Sequence, residues 1–135
     1  MDDIDERLIA LLREDARTSN VQLAEETGIT EGTVRARVKR LLEDGIIRSF
    51  TIRTASRNIK ALVEVKIELN VDTSQVARQI HDLPQVEIVF EVAGDADIIA
   101  VVDVLSVREL NSVIETIRSI GPTISTQTRL VLNEL

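Results

Sequence analysis

The apolar residues of this chain change their period once, near residues 55–60, and that change limits the folds open to it. Before it, they recur three or four apart, as on one face of a helix. After it they alternate, as in half-buried strands. A helical pattern does not settle into a sheet, nor an alternating one into a bundle, so the halves read as different domains. In the first half Asp3 with Glu6 is spaced as a capping box, and Ile4, Leu8, Leu11 and Leu12 follow at helical spacing. Ser19 with Gln22 is a second box. It opens a short helix bearing Val21, Leu23 and Ala24, which Thr27-Gly28-Ile29 ends. Thr30 predicts the N-cap of a third helix running to about Asp44, with Val34, Val38, Leu41 and Leu42 inward. Gly45 stops that helix, and Ile46 to Thr54 has β character.

The second half reads as β-α-β-β-α-β. Ala61, Val63, Val65, Ile67 and Leu69 alternate with Leu62, Glu64, Lys66 and Glu68. Asp72 with Gln75 opens a helix bearing Val76, Ile80 and Leu83, closed by Pro84. Val86, Ile88, Phe90 and Val92 form a second strand, Gly94-Asp95-Ala96-Asp97 a turn, and Ile98 to Val104 a third strand. Ser106 with Glu109 opens a last helix, Gly121-Pro122 breaks it, and Ile124 to Leu132 is the final strand. The expected fold class is α+β: a helix–turn–helix, winged-helix-like domain over residues 1–54, a polar linker over 55–60, and a ferredoxin-like domain over 61–135. Leu62, Val89, Ile99, Val101 and Val131 interrupt the polar sides of the strands, so a partner subunit is expected on that face.

Composition removes whole classes of chemistry. There is no cysteine, which excludes disulfides, thiolate metal sites and Cys nucleophiles. One histidine excludes a multi-His metal site within one chain; His81 reads as a helix C-terminal residue. Tyr and Trp are absent and Phe50 and Phe90 are the only aromatics, so no stacking platform for single strands is available. No nucleophile–base pair, phosphate loop or metal cluster is evident, and no enzyme is expected. No apolar run spans a bilayer, and MDDIDERL is acidic where a secretory leader is basic, so a cytoplasmic protein without membrane contact is expected.

The formal net charge of −7 argues against nucleic acid until its distribution is read. Residues 30–60 hold Arg35, Arg37, Lys39, Arg40, Arg48, Arg53, Arg57 and Lys60 against three acids. Screening over about 8–10 Å lets such a basic surface meet phosphates on an acidic body. A second helix after a tight Gly turn fits the major groove. With the apolar stripe inward, Gly32, Ala36, Lys39 and Arg40 point outward, flanked by Arg35 and Arg37. Small residues let the backbone approach base edges, and arginines fork onto guanine or phosphate. Thr30, Thr33, Ser19 and Gln22 stand at helix starts, where phosphate is favoured, and Arg48 and Arg53 follow along the DNA backbone. Double-stranded DNA is therefore the expected macromolecular partner.

The segment ARTSNVQLAEETGITEGTVRARVKRLLEDGIIRSFTI, with IDERLIALLREDAR before it, resembles the helix–turn–helix of the Lrp/AsnC (feast/famine) transcription regulators. The βαββαβ half, with VEIVFEVAGDADIIAVV, resembles that family's effector-binding domain. The likeness covers essentially the whole chain and is greatest to archaeal, lysine-responsive members. It implies a transcriptional regulator of amino-acid metabolism that forms homodimers and assembles to tetramers or octamers. It also implies an amino-acid effector, lysine or glutamine foremost, bound between dimers near the turn that joins the second and third strands. Here that turn is Gly94, Asp95, Ala96 and Asp97; a carboxylate suits the ligand's ammonium and turn amides its carboxylate. Relatives often carry an aromatic where this chain has Ala96. Thr126 and Thr128, two apart on the last strand, share a face and are placed to read the ligand's side chain. Two alternatives stay open: a DNA-organising protein that senses nothing, and a metabolic subunit that senses an amino acid.

Overall fold

Three helices and a four-stranded sheet follow each other in the computed structural model, which describes residues 1–55 and 58–135. The chain divides into two compact units, Met1–Thr54 and Ala55–Leu135. Arg57, counted in the basic stretch, lies outside the described residues.

Unit one holds α1 (Asp3–Glu14), α2 (Asn20–Thr27) and α3 (Glu31–Glu43). Leu8, Leu23 and Val34, one from each helix, form its buried centre, with Ile4, Leu11, Leu12, Ala24, Ile29 and Val38 packed around them. Ser19 and Gln22 form the expected capping box on α2, and Thr30 caps α3. Gly28 adopts φ 70° at the end of α2, a left-handed conformation that glycine takes at little cost. The box on α1 is Asp2 with Asp5, not Asp3 with Glu6. The shift by one residue turns Asp5 inward, where α3 supplies its partners. Leu42, expected inward, is exposed, because the stripe of α3 narrows to Val34, Val38 and Leu41. Ile46 to Thr54 forms neither strand nor helix. The Ile47 N–H returns to the Leu41 carbonyl at 2.9 Å, and no other segment of this unit offers a ladder to pair with.

Unit two holds β1 (Ile59–Ile67), α4 (Thr73–His81), β2 (Val86–Glu91), β3 (Ile98–Val104), α5 (Val107–Arg118) and β4 (Thr123–Leu130). The sheet order is β2-β3-β1-β4 with every pairing antiparallel. This is the ferredoxin-like arrangement. Ala61, Val63, Val65 and Ile67 of β1 and Ile98, Ala100, Val102 and Val104 of β3 face one way. They pack on Val76, Ala77 and Ile80 of α4 and Leu110, Val113 and Ile117 of α5.

Strand ends and phase depart from the sequence reading. β1 begins at Ile59, inside the expected linker, and stops at Ile67, leaving Leu69 exposed. β4 stops at Leu130, so Leu132 is exposed, and a register shift at Lys66/Ile67 displaces Ile124 from the ladder. A second shift lies between Val86 and Ile88. Beyond it Val89 pairs with Ala100 and joins the core, while Ile88 and Phe90 pair with Val101 and Ile99 on the opposite face. The expected strand had these the other way round. The bulge adds one residue and reverses the alternation.

Candidate functional site

Helix α3 presents two faces of different character. Gly32, Thr33, Arg35, Ala36 and Lys39 are all exposed. Among the described residues Arg35 and Lys39 carry only i,i+4 partners, Glu31 at 3.0 Å and Glu43 at 3.7 Å. Such solvated pairs are worth little and give way to a phosphate. Thr30 accepts the Thr33 N–H at 3.2 Å, and the two hydroxyls lie 2.8 Å apart. Ser19 accepts the Gln22 N–H at 3.1 Å. Both caps are exposed, so their oxygens order the helix starts and remain in reach of an anion. Arg48 and Arg53 are exposed and line a groove of about 590 Å³ between the end of α1 and residues 46–53.

Arg37 and Arg40 stand elsewhere. The sequence reading put Arg40 outward and Arg37 on its flank. The structure turns both toward α1. Arg37 Nη1 donates to Asp2 Oδ1 and Oδ2, each at 2.8 Å, and to Asp5 Oδ1 at 2.9 Å. Arg40 Nη2 donates to Asp5 Oδ2 at 2.7 Å. The Arg37 side chain keeps 22% of its exposure, Arg40 51%, and Asp5 1%. Spacing explains it: residues 37 and 40 lie three and six beyond the buried Val34, on the edge of the helix that meets α1. Hydrogen bonds from Arg37 and from the Asp5 amide, against a small burial penalty, hold the Asp2 carboxyl at about 2, below its usual 3.8. Burial alone raises Asp5, but the Arg37 hydrogen bond, the Asp2 amide and the Arg40 charge together bring it below the usual range. Neither Asp2 nor Asp5 was singled out from the sequence; nothing in their spacing announces partners more than thirty residues away.

In unit two, Gly94, Asp95, Ala96 and Asp97 join β2 to β3, with Gly94 at φ 123°. Gly94 and Asp95 are exposed; Ala96 and Asp97 are half-buried. The turn is tied to the end of β1. The Asp97 N–H donates to the Val65 carbonyl at 3.0 Å, the Ile67 N–H to Asp97 Oδ2 at 2.9 Å, and Lys66 Nζ to the Asp95 carbonyl at 3.3 Å. Thr126 and Thr128 pair with Val65 and Val63 on the helix-covered face, both half-buried. Both thus share a face, and Thr126 flanks the same stretch of β1 that holds the turn. Arg118 Nε donates to Thr126 Oγ1 at 3.0 Å, and its Nη1 to Glu115 at 3.0 Å. Arg118 and Lys66 bring cations to this end of the unit that the sequence reading did not single out. Among the described residues no group of His, Cys, Asp and Glu is arranged to hold a metal ion, and no helix is long and apolar enough to cross a membrane.

Residues 1–48 match a family model described as winged helix-turn-helix DNA-binding, and residues 60–135 match one described as the Lrp/AsnC ligand binding domain. The chain is 35% identical over 133 residues to the HTH-type transcriptional regulator LysM of Sulfurisphaera tokodaii, covering 98% of this chain and 95% of that one. It is 32% identical to LysM of Saccharolobus solfataricus, covering 98% and 94%. In structure it is similar to the leucine response regulatory protein LrpA of Mycobacterium tuberculosis, with a TM-score of 0.86, 26% identity, and coverage of 99% and 94%.

Proposed function

The chain belongs to the Lrp/AsnC family of DNA-binding transcriptional regulators, and from that premise we propose that it reads duplex DNA with α3 and answers to a free amino acid at the β2–β3 turn. One observation carries the first part. Gly32, Arg35, Ala36 and Lys39 form a continuous exposed face with small residues beside weakly paired cations. Placed in a major groove, the small residues admit the backbone to base edges while the cations take phosphates. Thr30, Thr33, Ser19 and Gln22 anchor the two helix starts to the sugar–phosphate backbone. Arg48 and Arg53 extend that contact, and Arg40 stands at its edge. Residues 1–54 are the DNA-binding unit in this reading.

Residues 61–135 are the effector and assembly unit. The ligand-binding description of the matching family model supports a small ligand there. Gly94 and its neighbours offer turn amides to a carboxylate, Asp95 or Asp97 a carboxylate to an ammonium, and Thr126 and Thr128 hydroxyls to a side chain. Lysine and glutamine head the candidates. The outer sheet face, with Leu62, Ile88, Phe90, Ile99 and Val101, suits a homodimer contact, and dimers then assemble to tetramers or octamers. Ligand at the dimer–dimer contact shifts the population of assemblies and thus the spacing of helix–turn–helix pairs along DNA. The engagement of Asp97 with Ile67 favours a second reading, an effector-free DNA organiser.

Thermal melts with each of the twenty amino acids separate the two. Ligand at 100 times its dissociation constant adds about 2.7 kcal/mol to stability. A selective shift names the effector; no shift with any of them supports the organiser.

A further inference from the structure

The four cations of α3 are not equivalent, and one buried carboxylate divides them. Asp5 is 1% exposed and accepts three hydrogen bonds: from Arg37 at 2.9 Å, from Arg40 at 2.7 Å, and from the Asp2 N–H at 3.1 Å. A carboxylate removed from water must be paired, and stripping one partner from such a cluster costs far more than breaking a surface pair. Arg37 is held from two sides, since Asp2 also takes its Nη1 in a bifurcated bond at 2.8 Å. The formal charges of Asp2, Asp5, Arg37 and Arg40 cancel. The outward charge of α3 therefore falls to Arg35 and Lys39, whose acid partners are solvated.

We propose that Asp5 is a positioning residue for DNA recognition: it withholds Arg37 from phosphate and fixes Arg40 at the rim, so that α3 meets DNA with few mobile cations. This rests on the reading that α3 lies in the groove. Mobile arginines bind any phosphate, and their affinity is indifferent to sequence. Tethered ones leave the outward face to the small residues that approach base edges. The acid thus trades non-specific affinity for selectivity without touching DNA.

The test measures binding of the full chain to a random-sequence duplex over a range of salt. The slope of log affinity against log salt counts phosphate contacts, at about 0.9 per contact. Asp5→Asn keeps the shape and removes the charge. It is expected to lower the melting temperature yet to bind the random duplex more tightly, with a slope steeper by about 1 for each arginine released. An unchanged or shallower slope in a variant still folded at the assay temperature overturns the proposal. Arg37→Met supplies a second arm if Asp5→Asn does not fold: a lower melting temperature with an unchanged slope is expected. A slope that falls by about 1 shows that Arg37 already contacts phosphate, and also overturns it. Arg35→Ala and Lys39→Ala test the underlying reading. Each should flatten the slope by about 1. If neither does, α3 is not the DNA face, and the proposal falls with that reading.

Discussion

The Ile67 N–H donates to the carboxylate of Asp97 at 2.9 Å, so the acid proposed for a ligand's ammonium also closes the end of β1. The two roles can be parted by substitution. Asp97→Ala leaves a largely buried amide without its acceptor and should cost about 1–3 kcal/mol. Asp97→Asn keeps an acceptor oxygen and should cost less than about 1 kcal/mol. If Asp97 holds the ammonium of an amino-acid effector, both should lose the melting shift that ligand gives, because neither variant keeps a negative charge to pair with it. A shift that persists in Asp97→Asn removes this side chain from ligand contact and leaves Asp95 as the candidate.

Two acids at the start of α1, the capping Asp2 and the buried Asp5, give unit one a defined response to pH. Asp2 is held at about 2, and Asp5 below its ordinary range, while in the unfolded chain both titrate near 3.8. The unfolded state therefore takes up protons first as pH falls. The stability these two acids contribute is fully present above about pH 4 and is lost as pH drops through about 2. Amide spectra of α1 to α3 recorded from pH 7 downward should show this unit loosening in that window. In Asp2→Asn the acid sensitivity should diminish. Equal sensitivity in variant and parent places the titrating group elsewhere.

Local signals in the sequence reported well on local structure. Ser19 with Gln22, Thr30, and the alternation of β1 and β3 each act within a few residues, where propensity and capping decide the outcome. What failed was non-local. The bulge before Ile88 reverses the faces of β2, and nothing in Val-Glu-Ile-Val-Phe-Glu marks where the extra residue falls. Ile46 to Thr54 has the composition of a strand but has no strand to pair with in its own unit. The partners of Arg37 were not legible either, because its acids, Asp2 and Asp5, are 35 and 32 positions away. At the candidate effector site the turn and the threonines were legible as motifs. Arg118, which reaches Thr126 from the end of α5, was not: only the folded chain brings them together.

Gly32 offers a direct probe of how near α3 comes to DNA. It is the second residue of that helix, and a Cβ added there meets nothing within 4 Å in the free protein. Alanine has the better helix propensity, so Gly32→Ala should raise stability by up to about 1 kcal/mol. If the helix backbone approaches base edges at this point, the same methyl should weaken DNA binding several-fold while the melting temperature rises. Melts and duplex titrations on one preparation check both signs. A gain in stability with unchanged affinity shows that the groove has room for the methyl, and moves the close approach toward Ala36.

The outer face of the sheet predicts an assembly contact with an identifiable centre. Ile88 stands opposite Val101, which stands opposite Leu62, and Phe90 stands opposite Ile99, so five apolar side chains adjoin across three strands. Toward β4 the face turns polar, with Arg129 donating to Glu64 at 3.0 Å. An apolar centre beside a polar flank is the composition of a homodimer contact, and Phe90, half-exposed in the single chain, is its bulkiest member. Phe90→Asp should leave the fold of the unit intact, because that side chain lies outside the core of β1, β3 and the two helices. It should place a carboxylate against the partner's apolar surface, or against its own copy across a two-fold axis, and drive the protein to monomers. Sedimentation equilibrium over a range of concentrations reads the outcome. Dissociation with retained helical signal supports the sheet face as the primary contact; unaltered assembly in Phe90→Asp requires the subunits to meet elsewhere.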